Sequence, residues 1–404
     1  MTIKLREALA SLGSKTNGFR KFIRALERQP FKLGPGITRL RESHNFGSNP
    51  GDLRMLGYVP AKLAENPALV VVLHGCTQTA AGYDLGAGWS TLADRYGFAL
   101  LFPEQQRSNN PNGCFNWFQP EDSQRDRGEP LSIRQMIEKS ILDHGIDRHR
   151  VFATGLSAGG AMTSIMLACY PEVFAGGAII AGLPYGAAAN VQQAFETMFQ
   201  SPSRPAREWG ILVRNASSHR GPWPRISIWH GSADRTVIPS NAGEILKQWT
   251  EVHGLPLSPS DQTTVDGYPR EVWINGAGDE MIESYTITNM AHGTPLALAG
   301  VEGACGAAGP FLLQVGISSS YHIAKFFGIA GAQPSQSASA GSNLPTLPLA
   351  AIRLEKHAAL LPVLEGEVLE KENKPIPRQE PSLPFPEINT VIHKALKAAG
   401  LIKE

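Results

Sequence analysis

Cysteine is scarce in this chain, which has 4 cysteines in 404 residues, too few for a disulfide scaffold to organise a fold of this length. Long hydrophobic runs are missing as well, and because no apolar stretch is long enough to span a bilayer, a transmembrane helix is excluded. Charge of one sign does not dominate either. The formal net charge is +1, so we do not expect a nucleic-acid partner held by a basic surface.

The N-terminal segment lacks an apolar stretch followed by a small-residue cleavage site, and charged residues occur throughout it. It therefore does not predict a secretory signal, and the cytoplasm is the simplest expected location. What the chain does have is hydrophobic content, 42% of its residues, which is enough to bury a full core. We expect one large domain with extensions rather than two equal domains.

Two extensions flank this domain. Residues 1–40 predict a basic amphipathic helix, because Leu5, Leu9 and Leu12 recur at helical spacing; packing on the body is favoured over binding to a membrane surface. Residues 330–404 begin with a linker rich in Ser, Ala, Pro and Gly and end with a short amphipathic helix, PEINTVIHKALKAAGLIK. We expect this tail to be largely irregular.

Residues 41–329 alternate short apolar strands with helices. ALVVVLHG is an unbroken apolar run stopped by turn residues, as expected of a strand buried on both faces. Similar runs are FALLFPE, VFATGLS, GGAIIAG, RISIWHG and ESYTITNM, with helical stretches such as AGGAMTSIMLACY between them. This alternation predicts an α/β fold with a mostly parallel sheet flanked by helices.

The pentapeptide Gly155-Leu156-Ser157-Ala158-Gly159 follows a predicted strand and precedes a predicted helix. A G-x-S-x-G sequence alone is a weak signal, and an ordinary glycine-rich turn would also produce it. Between a buried strand and a helix it indicates the nucleophile elbow of an α/β-hydrolase, where small residues flank a serine on a sharp turn. We therefore predict that Ser157 is a nucleophile.

A serine hydroxyl needs a base to take its proton, and the base needs an anion to hold its tautomer. In α/β-hydrolases these partners follow in the order serine, acid, histidine. Asp234 follows the predicted strand RISIWHG, and His292 follows ESYTITNM, so both lie at carboxyl ends of strands, where catalytic groups gather. We predict Asp234 as the acid and His292 as the base. Such chemistry needs neither a metal nor an organic cofactor.

Other histidines and aspartates are weaker candidates. His74 and His230 each precede a glycine at a strand end, and hydrogen bonding to loop backbone is favoured over catalysis for both. His322 lies within a predicted helix and is expected to pack there. Asp261, Asp266 and Asp279 lie in a loop-rich stretch and are expected to be solvated. Asp84 and Asp94 come too early in the chain order.

The backbone N–H of Ala158 is one expected donor to the oxyanion, and the N–H of Cys76, after the strand ALVVVLHG, is the other. A cysteine enzyme using Cys76 is a weak alternative, since no helix start or basic partner adjoins that thiol. Asn116 and Trp117 in a loop at the same edge, and Tyr185 after a strand, are candidate substrate-binding residues. A tryptophan anchoring its own loop is an equally good interpretation of Trp117.

Several separate motifs, in the right order, resemble the polyhydroxybutyrate (PHB) depolymerase family of esterases, in its short-chain-length extracellular-type branch. The resemblance covers roughly Leu40 to Ile329 and rests on HGCTQTA, CFNWF, GLSAGGAM, GPWPRISIWHGSADRTV, NMAHGTPL and VGISSSYHIAKFFG. It implies the α/β-hydrolase fold and similarity to feruloyl and acetylxylan esterases. Position by position, it implies a triad and an oxyanion hole at the residues derived above: Ser157, Asp234, His292, Ala158 and Cys76.

The chain departs from the secreted members of that family, because neither a signal peptide nor a lectin-like or fibronectin-like binding module is visible. Cys76 and Cys114 belong to loops at the same edge and are a possible disulfide, although cytosolic conditions would oppose one. Cys169 is expected to be buried and inert.

The predicted function is a serine carboxylic-ester hydrolase that works through an acyl-enzyme. The leading substrate is a 3-hydroxybutyrate polyester or its oligomers, and the alternative is a feruloyl or acetyl ester on a polysaccharide. A polymer- or granule-binding protein with secondary esterase activity is the hypothesis from another class. In each case the tails are candidates for contact with a polymer surface.

Overall fold

The computed structural model describes residues 38–331, and all of them belong to one compact unit. The predicted N-terminal helix lies outside these residues as far as residue 37, and the predicted irregular tail lies outside them from residue 332 onward. Within residues 38–331, no helix is both long and apolar enough to cross a bilayer.

A ten-stranded sheet forms the centre of the fold, and a separate two-stranded sheet pairs β11 with β12. The order across the large sheet is β1-β2-β4-β3-β5-β6-β7-β10-β9-β8, and the six strands from β4 to β10 in that order run parallel. The strands are β1 Arg41–Ser43, β2 Arg54–Tyr58, β3 Leu69–Leu73, β4 Ala99–Glu104, β5 Val151–Leu156, β6 Gly176–Ile180, β7 Arg225–Gly231, β8 Asp261–Val265, β9 Tyr268–Ile274, β10 Glu280–Ile287, β11 Thr294–Leu296 and β12 Leu312–Gln314.

The helices cover both faces of this sheet. They are α1 Ala80–Ala87, α2 Trp89–Tyr96, α3 Gly128–His144, α4 Ala158–Cys169, α5 Val191–Gln200, α6 Ala206–Asn215, α7 Ser240–His253 and α8 Ser319–Phe326, with a 3₁₀ turn at Pro120–Asp122. In β3, Val71 packs into the core beneath α3, α4 and α7, whereas Val70 and Val72 pack into the core beneath α1, α2 and α8. An unbroken apolar strand is therefore what a sheet covered on both sides requires. The predicted α/β-hydrolase class is confirmed.

One part of the predicted fold is wrong. The stretch before β10, expected to be loop-rich, contains the antiparallel strands β8 and β9, which extend the sheet at one edge. Their two-residue connection is Asp266-Gly267, and both residues have positive φ, +48° and +87°. This is the Asp-Gly hairpin turn, whose twist suits antiparallel strands. Asp261, Asp266 and Asp279 are exposed as expected, but on a hairpin edge rather than in a long loop.

The turn from β5 into α4 is unusually tight. Ser157 has φ +58° and ψ −117°, a conformation that few residues with a side chain adopt. Gly159 faces the neighbouring strand so closely that a Cβ atom there would lie 2.2 Å from Leu73 O and 2.5 Å from His74 O. Both neighbours are backbone atoms, so they cannot move aside cheaply. The second glycine of the pentapeptide is therefore required by packing between β3 and α4.

We expect Gly159→Ala to lower the free energy of unfolding by more than about 2 kcal/mol, because the new methyl group overlaps backbone. The matched control is Gly243→Ala within α7, where nothing lies within 4 Å of the added Cβ. This control should stabilise the protein by about 0.5–1 kcal/mol, since alanine favours helices. Urea unfolding of both variants measures the difference, and equal stabilities would contradict the packing argument.

Candidate active site

Ser157 stands at the carboxyl end of β5, immediately before α4, and its side chain lines a small cleft. Its backbone N–H donates to Ile180 O of the next strand at 2.9 Å, which fixes the elbow to β6. The first N–H groups of α4 have no acceptor within the helix and point toward the same end. The cleft is lined by Gly75, Cys76, Gln78, Leu156, Ser157, His292 and Phe311.

His292 and Asp234 meet beside this cleft, with His292 Nδ1 at 2.7 Å from Asp234 Oδ2. The other carboxylate oxygen, Asp234 Oδ1, accepts from the N–H groups of Thr236 at 2.8 Å and Val237 at 3.0 Å. A carboxylate can only accept here, so His292 Nδ1 carries the proton and Nε2 is left free to take one. This is the tautomer that a general base for Ser157 needs.

The environment of Asp234 keeps it ionised. Its side chain is buried, and burial alone would raise the pKa of this carboxyl group. Hydrogen bonds from His230 and His292 oppose that effect and hold the pKa of Asp234 well below its usual range. A permanent negative charge is therefore fixed behind His292.

Backbone hydrogen bonds bring the two loops that carry Asp234 and His292 together. Ser232 N donates to Ile287 O at 2.9 Å, and Ala233 N donates to Met290 O at 3.0 Å, which joins the loop after β7 to the loop after β10. Gly231 permits this approach, because a Cβ atom there would lie 2.3 Å from Met290 O. The acid and the histidine, 58 residues apart in the chain, are thus placed by adjacent strands.

His74 and His230 hydrogen-bond to loop backbone, as predicted, whereas His322 contacts a carboxylate as well as packing in its helix. His230 donates from Nε2 to Val237 O at 2.8 Å, and the same atom lies 3.4 Å from Asp234 Oδ2. His74 contacts Gly75 O, and His322 in α8 contacts the Asp266 carboxylate at 2.9 Å. Neither His74, His230 nor His322 lines the cleft at Ser157.

Cys76 lines the cleft opposite the start of α4 and is joined to Cys114 by a disulfide, with Cα atoms 4.2 Å apart. Within residues 38–331, no acceptor engages the Cys76 backbone N–H. The second expected donor, the Ala158 N–H, belongs to the first residue of α4. Cys169 and Cys305 are free and buried, and burial raises the pKa of the Cys169 thiol to about 12.

The three residues predicted to bind substrate do not line the cleft. Asn116 donates from its backbone N–H and from Nδ2 to the buried Glu129 carboxylate, each at 2.9 Å. Trp117 is 7% exposed and packs edge-on against Phe118 in the core, so the loop-anchoring interpretation is the one that matches its position. Tyr185 packs toward Cys169, with its hydroxyl 4.0 Å from Sγ.

Phe311 and Gln78 line the cleft instead, although neither was predicted from the sequence as a site residue. Phe311 has φ +61° and presents its ring to the edge of His292, with ring centroids 5.9 Å apart. Its carbonyl accepts from Thr294 N at 2.8 Å, which links it to the residues just after His292. No periodicity marks Phe311 in the sequence, because it reaches the cleft through the pairing of β11 with β12.

Comparison with known proteins gives concordant results. Residues 54–263 match the family described as esterase PHB depolymerase. The chain is 47% identical to poly(3-hydroxyalkanoate) depolymerase C of Paucimonas lemoignei, over 73% of this chain and 71% of that protein. It is 32% identical to feruloyl esterase B of Talaromyces funiculosus, over 66% of this chain and 75% of that one. Acetyl xylan esterase from Aspergillus awamori superposes with a TM-score of 0.61 at 29% identity, over 72% of this chain and 99% of the other.

The disulfide predicts a specific labelling pattern. Without reductant, iodoacetamide should modify none of the four cysteines in the native protein, because two are bridged and two are buried. After mild reduction, Cys76 and Cys114 should be modified first, and turnover should fall roughly tenfold as the loop at the cleft loosens. Peptide mass spectrometry and kinetics measure both effects. A variant with serine at both bridged positions is the control, since reductant should not change its rate; labelling of Cys76 before reduction would contradict the bridge.

Proposed function

The chain belongs to the PHB depolymerase family of esterases and hydrolyses carboxylic esters, and from that premise we propose that its substrate is poly(3-hydroxybutyrate) or its oligomers. The observation that supports ester hydrolysis is the cleft, which is lined by a serine on a strained elbow and by a histidine hydrogen-bonded to a buried carboxylate. The higher identity to a polyhydroxyalkanoate depolymerase than to feruloyl esterases favours the polyester over plant-polymer esters.

In the proposed reaction, Ser157 Oγ attacks the ester carbonyl while His292 Nε2 takes the hydroxyl proton. The resulting tetrahedral oxyanion accepts hydrogen bonds from the N–H groups of Cys76 and Ala158. His292 then gives its proton to the departing alkoxide, and the hydroxyl end of the substrate leaves. Water repeats the sequence on the acyl-enzyme and releases the acid. Asp234 stays ionised throughout, holds the Nδ1 tautomer and stabilises the imidazolium.

The wall of the cleft fits an aliphatic ester. Phe311 and Leu156 supply apolar surface, and Gln78 supplies an amide whose Oε1 and Nε2 contact Gly75 N and Pro310 O. Among residues 38–331, no aspartate, glutamate, lysine or arginine lines it. A hydroxyalkanoate unit is uncharged along the polymer and has a short alkyl side chain, so it needs apolar contact and few polar partners. Feruloyl or acetylxylan esters remain the second candidate on the strength of the relatives.

For the triad, we expect Ser157→Ala and His292→Ala to lower kcat on p-nitrophenyl butyrate by at least about 10³-fold with folding intact. Asp234→Asn should lower it by about 10³–10⁴-fold, because an amide in place of the carboxylate favours the wrong imidazole tautomer. Steady-state kinetics alongside thermal unfolding separates catalysis from stability.

The matched control for the acid is Asp279→Asn, since Asp279 is exposed at the turn before β10. Its kcat should stay within about threefold of the wild type. A large loss in Asp279→Asn together with near-normal turnover in Asp234→Asn would show that the acid is misassigned.

The substrate is tested by release of 3-hydroxybutyrate from polymer films, compared with hydrolysis of methyl ferulate and acetylated xylan. We also propose that the tail contacts the polymer, which a chain truncated after Gly331 tests. This truncated chain should keep soluble-ester activity within about threefold, because Ser157, Asp234 and His292 all lie within residues 38–331, and it should release less product from films. Ser157→Ala is the blank for every substrate.

Three outcomes would contradict these proposals. Efficient cleavage of methyl ferulate or acetylated xylan with no release of 3-hydroxybutyrate would assign the chain to the second candidate. Equal film degradation by the full and truncated chains would show that the tail does not contribute to polymer binding. If films bound the Ser157→Ala protein while the wild type turned over no ester, a binding protein would be the better description.

A further inference from the structure

A second cavity lies apart from the cleft at Ser157, between the loop after β6 and the helices α5, α6 and α7. It has no lining residue in common with the cleft. Pro202 in its wall is exposed, so the cavity opens to solvent, and it is narrow enough to admit only a small molecule. The residues that line it are Pro184, Ala187, Thr197, Ser201, Pro202, Arg204, Trp209, Asn241 and Glu244.

Two buried polar atoms of this lining have no hydrogen-bond partner within residues 38–331. They are Asn241 Oδ1, in a fully buried residue, and Ser201 Oγ, in a residue that is 7% exposed. The orientation of the Asn241 amide is fixed, because its Nδ2 donates to Thr197 O at 3.0 Å and to Ile238 O at 3.1 Å, and both are carbonyls. Leaving a buried polar group without a partner is costly, so a ligand that supplies the partner is favoured.

The hydroxyl of Ser201 is not used to end its helix. Ser201 follows α5 with φ +46°, and its backbone N–H donates to Glu196 O and Thr197 O. The cap is therefore made by the backbone alone. The side-chain hydroxyl keeps both its donor and its acceptor capacity for another group.

The unpaired charge of this lining is positive. The guanidinium of Arg204, a half-buried residue, lies over the ring of Trp209 at 4.6 Å from the centroid, and no carboxylate of residues 38–331 forms an ion pair with it. Glu244 is already engaged, since its Oε1 lies 2.7 Å from Lys247 Nζ and its Oε2 accepts from Trp209 Nε1 at 2.7 Å. An anion is therefore favoured over a cation in this cavity.

The groups without partners determine which ligand fits. A guanidinium binds a carboxylate well, and the Ser201 hydroxyl can donate to the same carboxylate. Asn241 Oδ1 can only accept, so it requires a hydrogen-bond donor on the ligand. A hydroxyl suits it better than an ammonium, because Lys247 already balances the one carboxylate of the lining. Pro184 and Ala187 supply apolar surface for a short carbon chain.

We propose that this second cavity is a binding site for a small hydroxy acid, whose carboxylate contacts Arg204 and Ser201 and whose hydroxyl donates to Asn241 Oδ1. Hydrolysis of a poly(3-hydroxyalkanoate) releases acids of this class, so 3-hydroxybutyrate is the probe. The choice of this probe rests on the proposed function, whereas the chemistry of the cavity does not.

Isothermal titration calorimetry of the full chain with three small acids tests the match. Butyrate lacks the hydroxyl, and acetoacetate presents a carbonyl oxygen to Asn241 Oδ1, which cannot donate. Both should bind at least about tenfold more weakly than 3-hydroxybutyrate. The Ser157→Ala chain should bind 3-hydroxybutyrate with the wild-type Kd, because Ser157 is not part of this cavity.

Substitutions in the lining locate the site. Arg204→Gln removes the charge and should weaken 3-hydroxybutyrate binding at least about tenfold. The matched control is Arg207→Gln, because Arg207 is exposed three residues further along and does not line the cavity. Ser201→Gly removes Oγ at a positive φ that glycine adopts readily, so it should fold and bind roughly three- to tenfold more weakly. Thermal unfolding verifies that each variant is folded.

Several results would overturn the inference: no binding of 3-hydroxybutyrate by the wild type, equal Kd in Arg204→Gln and Arg207→Gln, or binding of butyrate or acetoacetate as tight as that of 3-hydroxybutyrate. Loss of binding in Ser157→Ala but not in Arg204→Gln would place the acid in the catalytic cleft and would also overturn it. If Ser201→Gly does not fold, the two arginine variants still decide. A chain that binds the acid but hydrolyses no ester would refute the proposed function and leave this inference standing.

Discussion

Backbone segments from neighbouring parallel strands touch at the carboxyl edge of the sheet, and the geometry of the cleft depends on that contact. At Gly159 and at Gly231, an added Cβ would lie within 2.3 Å of a carbonyl oxygen of the adjacent strand or loop. The first contact sets the elbow against β3, and the second sets the acid loop against the histidine loop. Because peptide atoms make both contacts, the positions of Ser157, Asp234 and His292 follow from main-chain packing and need few side chains to adjust them.

This dependence explains which features could be predicted. The elbow and the two strand-end loops carry local signals, since glycines and short polar turns occur where buried strands stop. The hairpin turn at Asp266-Gly267 had an equally local signal, the Asp-Gly pair. Strand β8 is exposed, however, and β9 has only Val272 and Trp273 fully buried, so no apolar run marked either strand. Phe311 had no local signal at all. Its place in the cleft depends on tertiary pairing of two three-residue strands, which a single sequence does not encode in any period.

Substrate binding by Trp117 and Asn116 stays a prediction, and there is a physical reason why neither residue lines the cleft at Ser157. An aromatic and an amide side chain in a loop at the catalytic edge can contact either a ligand or their own loop. Here the amide of Asn116 is bound by the carboxylate of Glu129. That carboxylate is fully buried, no cationic side chain of residues 38–331 contacts it, and burial raises the pKa of Glu129 well above its usual range. Amide donors from Asn116 and Gln105 are what make this burial tolerable. These side chains are therefore committed to the loop that carries Cys114.

Backbone and side chains therefore determine different parts of the cleft. The turn at Ser157, the two proposed oxyanion donors and the loop that carries Asp234 are set by peptide groups, and peptide groups are the same whatever ester is bound. The wall of the cleft is set by side chains from loops that the sheet does not constrain, of which Phe311 is the clearest. Relatives named for hydroxyalkanoate, feruloyl and acetylxylan esters can thus share the catalytic frame, while a few loop side chains select the substrate. Specificity in this chain should accordingly respond to changes at Phe311 and Gln78 more than to changes anywhere in the central strands.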